Sequence, residues 1–370
     1  MTYQINAQHS GYISATLRPP LTELWSVKLG RKNTAVGYPV VANGMVVVAI
    51  YGGGELIALD AATGMVRWKK GKPGRGHGRG WVGAAYDNGV IFANPLYTSG
   101  KHNIGMFAFD EQSGEQLWAV PVPGEWALSS PPTATSGTVY TGAAGDSGFV
   151  YAYAEPSGAL QWKEFVDGGE DSSPAVTSEG VYVSYPCQTY DFDPQTGKQV
   201  WRSDRSCDGG GGSTPALYDG LLFFGDSGSG IRHNGLVLKA DSGKIVGSFN
   251  TYFVPAFAQH RGFFVTDDGR KLRAFEIPSM RHAWTVTLSR RRLSINRYAT
   301  PPLVVGSAVF IETRAGKLLG YSVRDGEKQV EFNLGYTPTL YGPVGRTWFR
   351  LEQASRARWK PADRAQGQLA

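Results

Sequence analysis

Apolar and small residues alternate through short runs of this chain, and each run stops at a tight turn shortly before a tryptophan. "LIALDAATGMVRW" ends at Trp68, "MFAFDEQSGEQLW" at Trp118, "VYAYAEPSGALQW" at Trp162 and "TYDFDPQTGKQVW" at Trp201. Alternation of period two specifies β-strands, and the "TG" or "SG" pair supplies a turn residue that tolerates positive φ. Each segment therefore predicts strand, turn, strand, with the tryptophan ring wedged between neighbouring sheets. Three degenerate copies follow, ending at Gly247, Trp284 and Val330; the place of Asp60 recurs at Asp110, Ala154, Asp193, Lys239, Glu276 and Ser322. Long helical periodicity is absent.

A second repeat precedes each copy: a proline-containing strand, a short turn and a β-branched strand, as in "YPVVANGMVVVAI", "SPPTATSGTVYTG", "SSPAVTSEGVYVS", "STPALYDGLLFFG", "VPAFAQHRGFFVT" and "TPPLVVGSAVFIE". "WVGAAYDNGVIFA" is a version without proline, and an eighth, "TPTLYGPVGRTWFRL", begins at Thr337. Each unit thus has four strands, A to D, over about 45 residues, a period that fits propeller blades. Eight A strands meet only seven complete C–D units. "ELWSVKL" at Glu23–Leu29, with Trp25 at the tryptophan place, supplies the missing D strand. The expectation is an all-β, eight-bladed β-propeller of four-stranded antiparallel blades, closed by N- and C-terminal strands so that no sheet edge stays free. It forms one domain over 1–370, with the propeller at about 23–359, an N-terminal lead at 1–22 and a flexible tail at 361–370.

The "ALDAATGMVRW" turn resembles the tryptophan-docking repeat of the PQQ-like (quinoprotein-like) β-propeller superfamily, over nearly the whole chain. That resemblance implies the fold and leaves function open, because the superfamily includes quinone-dependent alcohol dehydrogenases, an outer-membrane assembly lipoprotein and secreted proteins of unassigned role. Those dehydrogenases hold the quinone against a disulfide of two adjacent cysteines, beside a calcium or lanthanide. Here Cys187 and Cys207 are not adjacent and there is no second pair, so no cofactor is expected. "DGGED" at 167–171 is rich in oxygen ligands but lacks a loop of alternating ligand spacing, so no metal is expected.

In such a propeller the A–B and C–D turns share one face, and the B–C and D–A loops share the other. The first set is short and generic here; the second is long and varied, and function concentrates on loops held by a rigid scaffold. Both cysteines fall on the varied face of blade 4, which predicts a Cys187–Cys207 disulfide. Closing about 21 residues stabilises by about 3 kcal/mol in the chain-entropy model and implies an oxidising compartment.

On the same face, Arg75, His77, Arg79, Trp81, Tyr97, Lys101 and His102 form a basic, aromatic wall around blade 2. Arg232 and His233 lie across the mouth, and Arg290, Arg297 and Tyr298 precede blade 7; Trp126, Tyr185 and Tyr190 add rings. Arginine, histidine and aromatic groups together suit an anionic ligand through charge-assisted hydrogen bonds and stacking. The alternative for these residues is ordinary solvated loop charge.

The net charge is +6, part of it in the last 25 residues. That tail reads as a solvated terminus, so no nucleic-acid partner is expected. The apolar run "VVVAI" at Val46–Ile50 is far too short to span a bilayer. "MTYQINAQHSGY" lacks the basic start and apolar stretch of a signal peptide, so a secreted or periplasmic location takes the signal as removed. The expected function is an exported, monomeric propeller that binds a polar or anionic ligand, carbohydrate first. One alternative is a polysaccharide lyase, with His77, His102 or Tyr97 abstracting the proton. The other is a scaffold for protein partners.

Overall fold

The computed structural model describes residues 1–17, 20–29, 37–50, 54–71, 80–95, 104–123, 130–143, 148–169, 172–185, 187–205, 212–225, 235–251, 253–266, 269–288, 301–313 and 316–334. These residues build seven sheets, each with four antiparallel strands consecutive in sequence, one of which takes a fifth, N-terminal strand. The sheets are blades 1 to 7, at 40–70, 81–121, 133–166, 175–204, 216–249, 256–287 and 303–333.

The count of eight is thereby corrected to seven. The proposed last A and B strands, from Thr337 to Trp359, lie outside the described residues. Glu23–Leu29 joins none of the seven sheets. Trp25 nevertheless docks as its counterparts do, its indole nitrogen donating to the Ala61 carbonyl at 3.0 Å. A tryptophan needs a turn to rest on but no ladder of its own, so the motif over-counted the blades. Closure by terminal strands takes a different form as well. The N-terminal strand that does pair is Tyr12–Ile13, which lies parallel to the inner strand Leu303–Val305 of blade 7.

In blades 1, 2 and 4 an aspartate closes the C–D turn in the same way. Asp60 Oδ1 accepts from the amides of Ala62 and Thr63 and from the Thr63 hydroxyl; Asp110 and Asp193 repeat this with Gln112 and Ser113 and with Gln195 and Thr196. Such bonds close the turn locally. The Arg67 guanidinium, together with these donors, holds the Asp60 carboxyl down at about 2. Each D strand then carries one bulged residue beside the tryptophan place, with the register shifting at Ala58/Leu59, Ala108/Phe109, Ala152/Tyr153 and Asp191/Phe192. Leu117 and Val200 are such extra residues, and both are exposed. The bulge turns the strand so that the next ring points inward.

The inter-blade cores follow from that aim. Trp68 packs with Trp81, Phe107 and Phe109 between blades 1 and 2, and Trp162 with Tyr140, Tyr190 and Phe192 between blades 3 and 4. Burying each ring is worth about 2–3 kcal/mol, repeated around the circle.

Candidate functional site

The inner A strands surround a central hub, and residues 1–13 run along their inner edges. An inner strand leaves one edge of backbone donors unpaired. The segment satisfies them in sequence around the ring: the amides of Tyr86, Val176, Leu217, Phe257, Val304 and Gly306 donate to the carbonyls of Met1, Ala7, Gln8, Ser10, Gly11 and Ile13. Blade 3 is held through side chains, with the Thr2 hydroxyl on the Pro132 carbonyl at 2.8 Å. The Tyr3 ring meets Tyr38, just before the inner strand of blade 1, edge-on at 4.6 Å. Gly11 passes so close to blade 6 that a Cβ there would sit 2.8 Å from that of Ala256, and its φ of +62° is one that glycine adopts freely.

His9 lies in this segment and is fully buried. Its Nδ1 lies 2.9 Å from the Pro215 carbonyl, which can only accept, so Nδ1 carries a proton. Its Nε2 lies 3.3 Å from Thr133 Oγ1, whose single proton is already directed to the Pro174 carbonyl at 2.7 Å. Burial pushes the imidazole down to about 4, only partly opposed by the Pro215 carbonyl. His9 is therefore neutral at pH 7; its Nδ1–H joins the segment to blade 5 through Pro215, while Nε2 lies beside Thr133 of blade 3.

Hydroxyls tie the entries to the inner strands together. Ser172 Oγ accepts from the Ser184 amide and donates to the Ser213 carbonyl. Ser213 Oγ in turn accepts from the Gly225 amide, and the Ser213 amide donates to the Ser184 carbonyl. Ser173 Oγ donates to the Pro131 carbonyl, and the Ser173 amide to Thr214 Oγ1. Proline residues at these entries leave carbonyls without competing amides nearby, and the small hydroxyl residues beside them supply the donors. These bonds tie blades 3, 4 and 5 together.

Most of the residues singled out in the sequence lie outside the described residues: Arg75, His77, Arg79, Tyr97, Lys101, His102, Trp126, Cys207, Arg232, His233, Arg290, Arg297 and Tyr298. Three aromatic candidates are placed, and each is buried in a core between blades. Trp81 is 2% exposed, edge-on to Phe107 and Phe109, with its indole donating to the Gly71 carbonyl at 3.0 Å. Tyr185 and Tyr190 are each 1% exposed in the core between blades 3 and 4. Burial pushes both phenols above their ordinary range. Tyr190 accepts from the Asp167 amide, and Arg202 covers its ring at 5.3 Å while pairing with Asp167 at 2.8 Å. Cys187 is disulfide-bonded. The sequence reading missed this docked segment altogether; the only trace of it is that 1–13 breaks the alternation that marks every blade strand.

The family model described as outer membrane protein assembly factor BamB matches residues 10–101, 100–248 and 189–346. The chain belongs to this family. Its curated relatives include the assembly factor BamB of Nitrosomonas eutropha, 32% identical over 177 residues, covering 45% of this chain and 38% of that protein. The dehydrogenase subunit of the quinone alcohol dehydrogenase of Gluconobacter oxydans is 27% identical over 242 residues, covering 60% of this chain and 28% of that protein. The chain thus spans well under half the length of either relative. Among solved structures, a europium-containing methanol dehydrogenase aligns with TM-score 0.72 at 14% identity, covering 91% of this chain and 86% of the other. BamB from Moraxella catarrhalis aligns with TM-score 0.62 at 15% identity, covering 89% and 99%. At such identities these two structures show the shared propeller fold.

The residues present do not fit a quinone held in the dehydrogenase manner. That arrangement needs two adjacent cysteines, whereas Cys187 begins the turn into the strand Gln188–Phe192 and the other cysteine of the chain is Cys207. Among the described residues no cluster of three His, Cys, Asp or Glu side chains is placed to hold a metal, and no described helix is long and apolar enough to cross a membrane. What the arrangement offers is a ring of blades whose inner strands are joined by residues 1–13 of the same chain.

Proposed function

We propose that this chain is an exported binding propeller that engages a polar or anionic ligand through its B–C and D–A loop face. The reading is supported by the contrast in the sequence between short, generic A–B and C–D turns and long, varied B–C and D–A loops, mounted on blades that Ser172, Ser173 and Ser213 tie together. Rigid mounting of variable loops is the common way a scaffold presents a site. Carbohydrate is the first ligand class, because the loops at 72–79 and 96–103 combine arginine, lysine, histidine and tyrosine. A screen of neutral and acidic glycans tests it, with Arg75→Ala and Arg79→Ala as site variants. Binding lost in the variants supports the reading; no binding to any glycan, or binding indifferent to both substitutions, rejects it.

A second reading has its own support. The family model carries the name of an outer membrane assembly factor, which favours a scaffold that binds protein partners on the same face. Crosslinking from Lys101→Cys in an envelope extract distinguishes it: a discrete protein adduct supports a scaffold, and its absence beside a positive glycan screen supports the first reading.

A further inference from the structure

Blade 3 carries an aromatic corner that the repeat does not require. Phe149 and Phe165 pair across its two outer strands, Gly148–Ala154 and Leu160–Val166, with ring centroids 6.1 Å apart and planes at 84°. The same cross-strand place holds Gln188 and Asp204 in blade 4, Lys271 and Thr287 in blade 6, and Lys317 and Asn333 in blade 7. All of those residues are polar, so a blade forms without rings there. Phe165 is 51% exposed. One exposed apolar residue is ordinary; two facing rings beside an unpaired cation form a patch of defined chemistry.

Lys163 supplies that cation. It pairs with Tyr151 on the same face of the strand as Phe165, and its Nζ lies 5.4 Å from the centroid of the Phe149 ring. Its place, one residue beyond the tryptophan, is charged in three other blades and ion-paired each time: Lys69 with Glu55, Arg202 with Asp167 and Asp204, and Glu331 with Lys317 and Lys328. Lys163 is exposed and has no such ion pair among the described residues. Its neighbour Glu164 falls on the other face of the strand, the face on which Trp162 and Val166 pack towards blade 4. An exposed cation–π contact is weak, so the ammonium is available to an incoming anion.

We propose that Phe149, Phe165 and Lys163 form a subsite for a uronic acid residue, whose ring lies on Phe165 against the Phe149 wall with its carboxylate on the Lys163 ammonium. The inference rests on the reading that the loop face binds saccharide, and it puts one contact on the outer rim of blade 3, where these two strands meet the B–C and D–A loops. A pyranose ring suits the corner. Its C–H groups meet the negative face of a phenyl ring, its hydroxyl edge stays in the water around Phe165, and its carboxylate meets a compact, strongly hydrated point charge. A wholly apolar ligand would leave Lys163 unused and keep most of its own surface wet.

Titration of the full chain with galacturonate, glucuronate and mannuronate oligosaccharides, and with their carboxyl-reduced counterparts, tests the subsite. The parent should bind at least one uronate about tenfold more tightly than its reduced form. Phe165→Asn introduces the residue that blade 7 carries at this place, and should weaken uronate binding about three- to tenfold. Lys163→Thr follows Thr285 of blade 6, and should bring acidic and reduced sugars within about threefold of each other. Both positions are exposed, so urea midpoints should match the parent; should either variant fold poorly, Phe165→Leu and Lys163→Gln take its place with the same expectation. Uronate binding that falls in Arg75→Ala and Arg79→Ala but not in the blade 3 variants would overturn the subsite and keep the loop reading. Binding that depends on blade 3 alone would keep the subsite and reject the loop reading. Equal binding of acidic and reduced sugars in the parent, or no uronate binding at all, overturns the subsite.

Discussion

A Cβ on Gly114 would lie 2.6 Å from the indole ring of Trp68, which reaches across from the preceding blade. The same relation joins Trp25 to Gly64, Trp118 to Gly158, Trp162 to Gly197 and Trp284 to Gly326. In each pair the indole nitrogen donates to a carbonyl of the same turn, at 2.8 Å for Trp68 to Glu111 and 2.8 Å for Trp118 to Glu155. Where the partner changes, the turn changes with it. Blade 5 has Gly247 at the tryptophan place, and the facing turn of blade 6 carries Met280, at φ 54°, instead of glycine.

Two separable costs follow for Gly114, its φ of +67° and the ring on its missing side chain. Gly114→Ala should lose about 2–4 kcal/mol. Gly89, at φ +80° with nothing within 4 Å, has only the backbone cost, so Gly89→Ala should lose about 1 kcal/mol. Gly71 has neither, and Gly71→Ala should fall within about 0.5 kcal/mol of the parent. Urea unfolding of the three variants checks the ranking; equal losses at Gly114 and Gly89 would show that the tryptophan contact contributes nothing.

The blade was legible in the sequence because its determinants are local. Asp60, Thr63, Gly64 and Trp68 lie within nine positions and act on one another or on the adjoining blade in a fixed geometry, so the pattern repeats wherever the structure does. The blade count was not legible, since Trp25 satisfies the docking rule outside the seven sheets of the described residues. The docked N-terminal segment was hidden for another reason: it is held by its carbonyls, which every sequence has, and its partners lie at up to six blades' distance along the chain. The direction of the Trp81, Tyr185 and Tyr190 rings was not legible because a ring at a strand end can face a mouth or a neighbouring blade, and only the packing decides which.

Asp191 should be the strongest destabilising group in blade 4. It occupies the place held by Ala58, Ala108, Ala152, Val237, Ala274 and Gly320 in the other blades, opposite Trp201 and beside Tyr182. It is 3% exposed and its Oδ1 lacks a partner. Burial, with the charge of Asp193 adding, pushes its carboxyl up to about 7 from an ordinary 3.8. The folded chain therefore binds a proton more tightly than the unfolded one, and this contribution is full below about pH 4 and lost as pH rises through about 7. Asp191→Ala should gain about 2–4 kcal/mol at pH 8 and little at pH 4. His9 acts in the opposite sense, its contribution being present above about pH 6.5 and lost as pH falls towards 4. Unfolding free energy against pH should thus peak at mildly acidic pH in the parent, and the peak should move upward in Asp191→Ala. An unchanged profile would contradict the assignment.

The hydroxyls that tie blades 3 to 5 together make a prediction about single atoms. Ser172→Ala leaves the buried Ser184 amide without its acceptor, and Ser213→Ala does the same to Gly225. A buried donor left unpaired costs about 1–3 kcal/mol. Each variant should lose that much in urea unfolding, while Ser→Thr at either place, which keeps the oxygen, should lose less. Because these blades mount the varied loops, ligand binding should weaken in both alanine variants at temperatures well below unfolding. Full stability in Ser172→Ala would mean that the Ser184 amide finds another acceptor.

Cys187, at the start of the strand Gln188–Phe192, is disulfide-bonded. The Cys187 carbonyl accepts from the Arg205 amide at 2.7 Å, and Arg205 donates to Thr189 at 3.1 Å and covers the Phe224 ring at 5.3 Å. These contacts join the last strand of blade 4 to the core of blade 5 independently of the sulfur bond. Removing the bond should therefore loosen the unfolded chain's constraint more than it disturbs the folded one. The double substitution Cys187→Ser, Cys207→Ser should lower stability by about 3 kcal/mol and leave the exchange protection of Gln188–Phe192 largely intact at neutral pH. Alkylation of native, unreduced protein should add no mass. Two alkyl groups added without reductant would remove the basis for an oxidising compartment, and loss of protection throughout blade 4 would show that the bond holds the folded blade together as well.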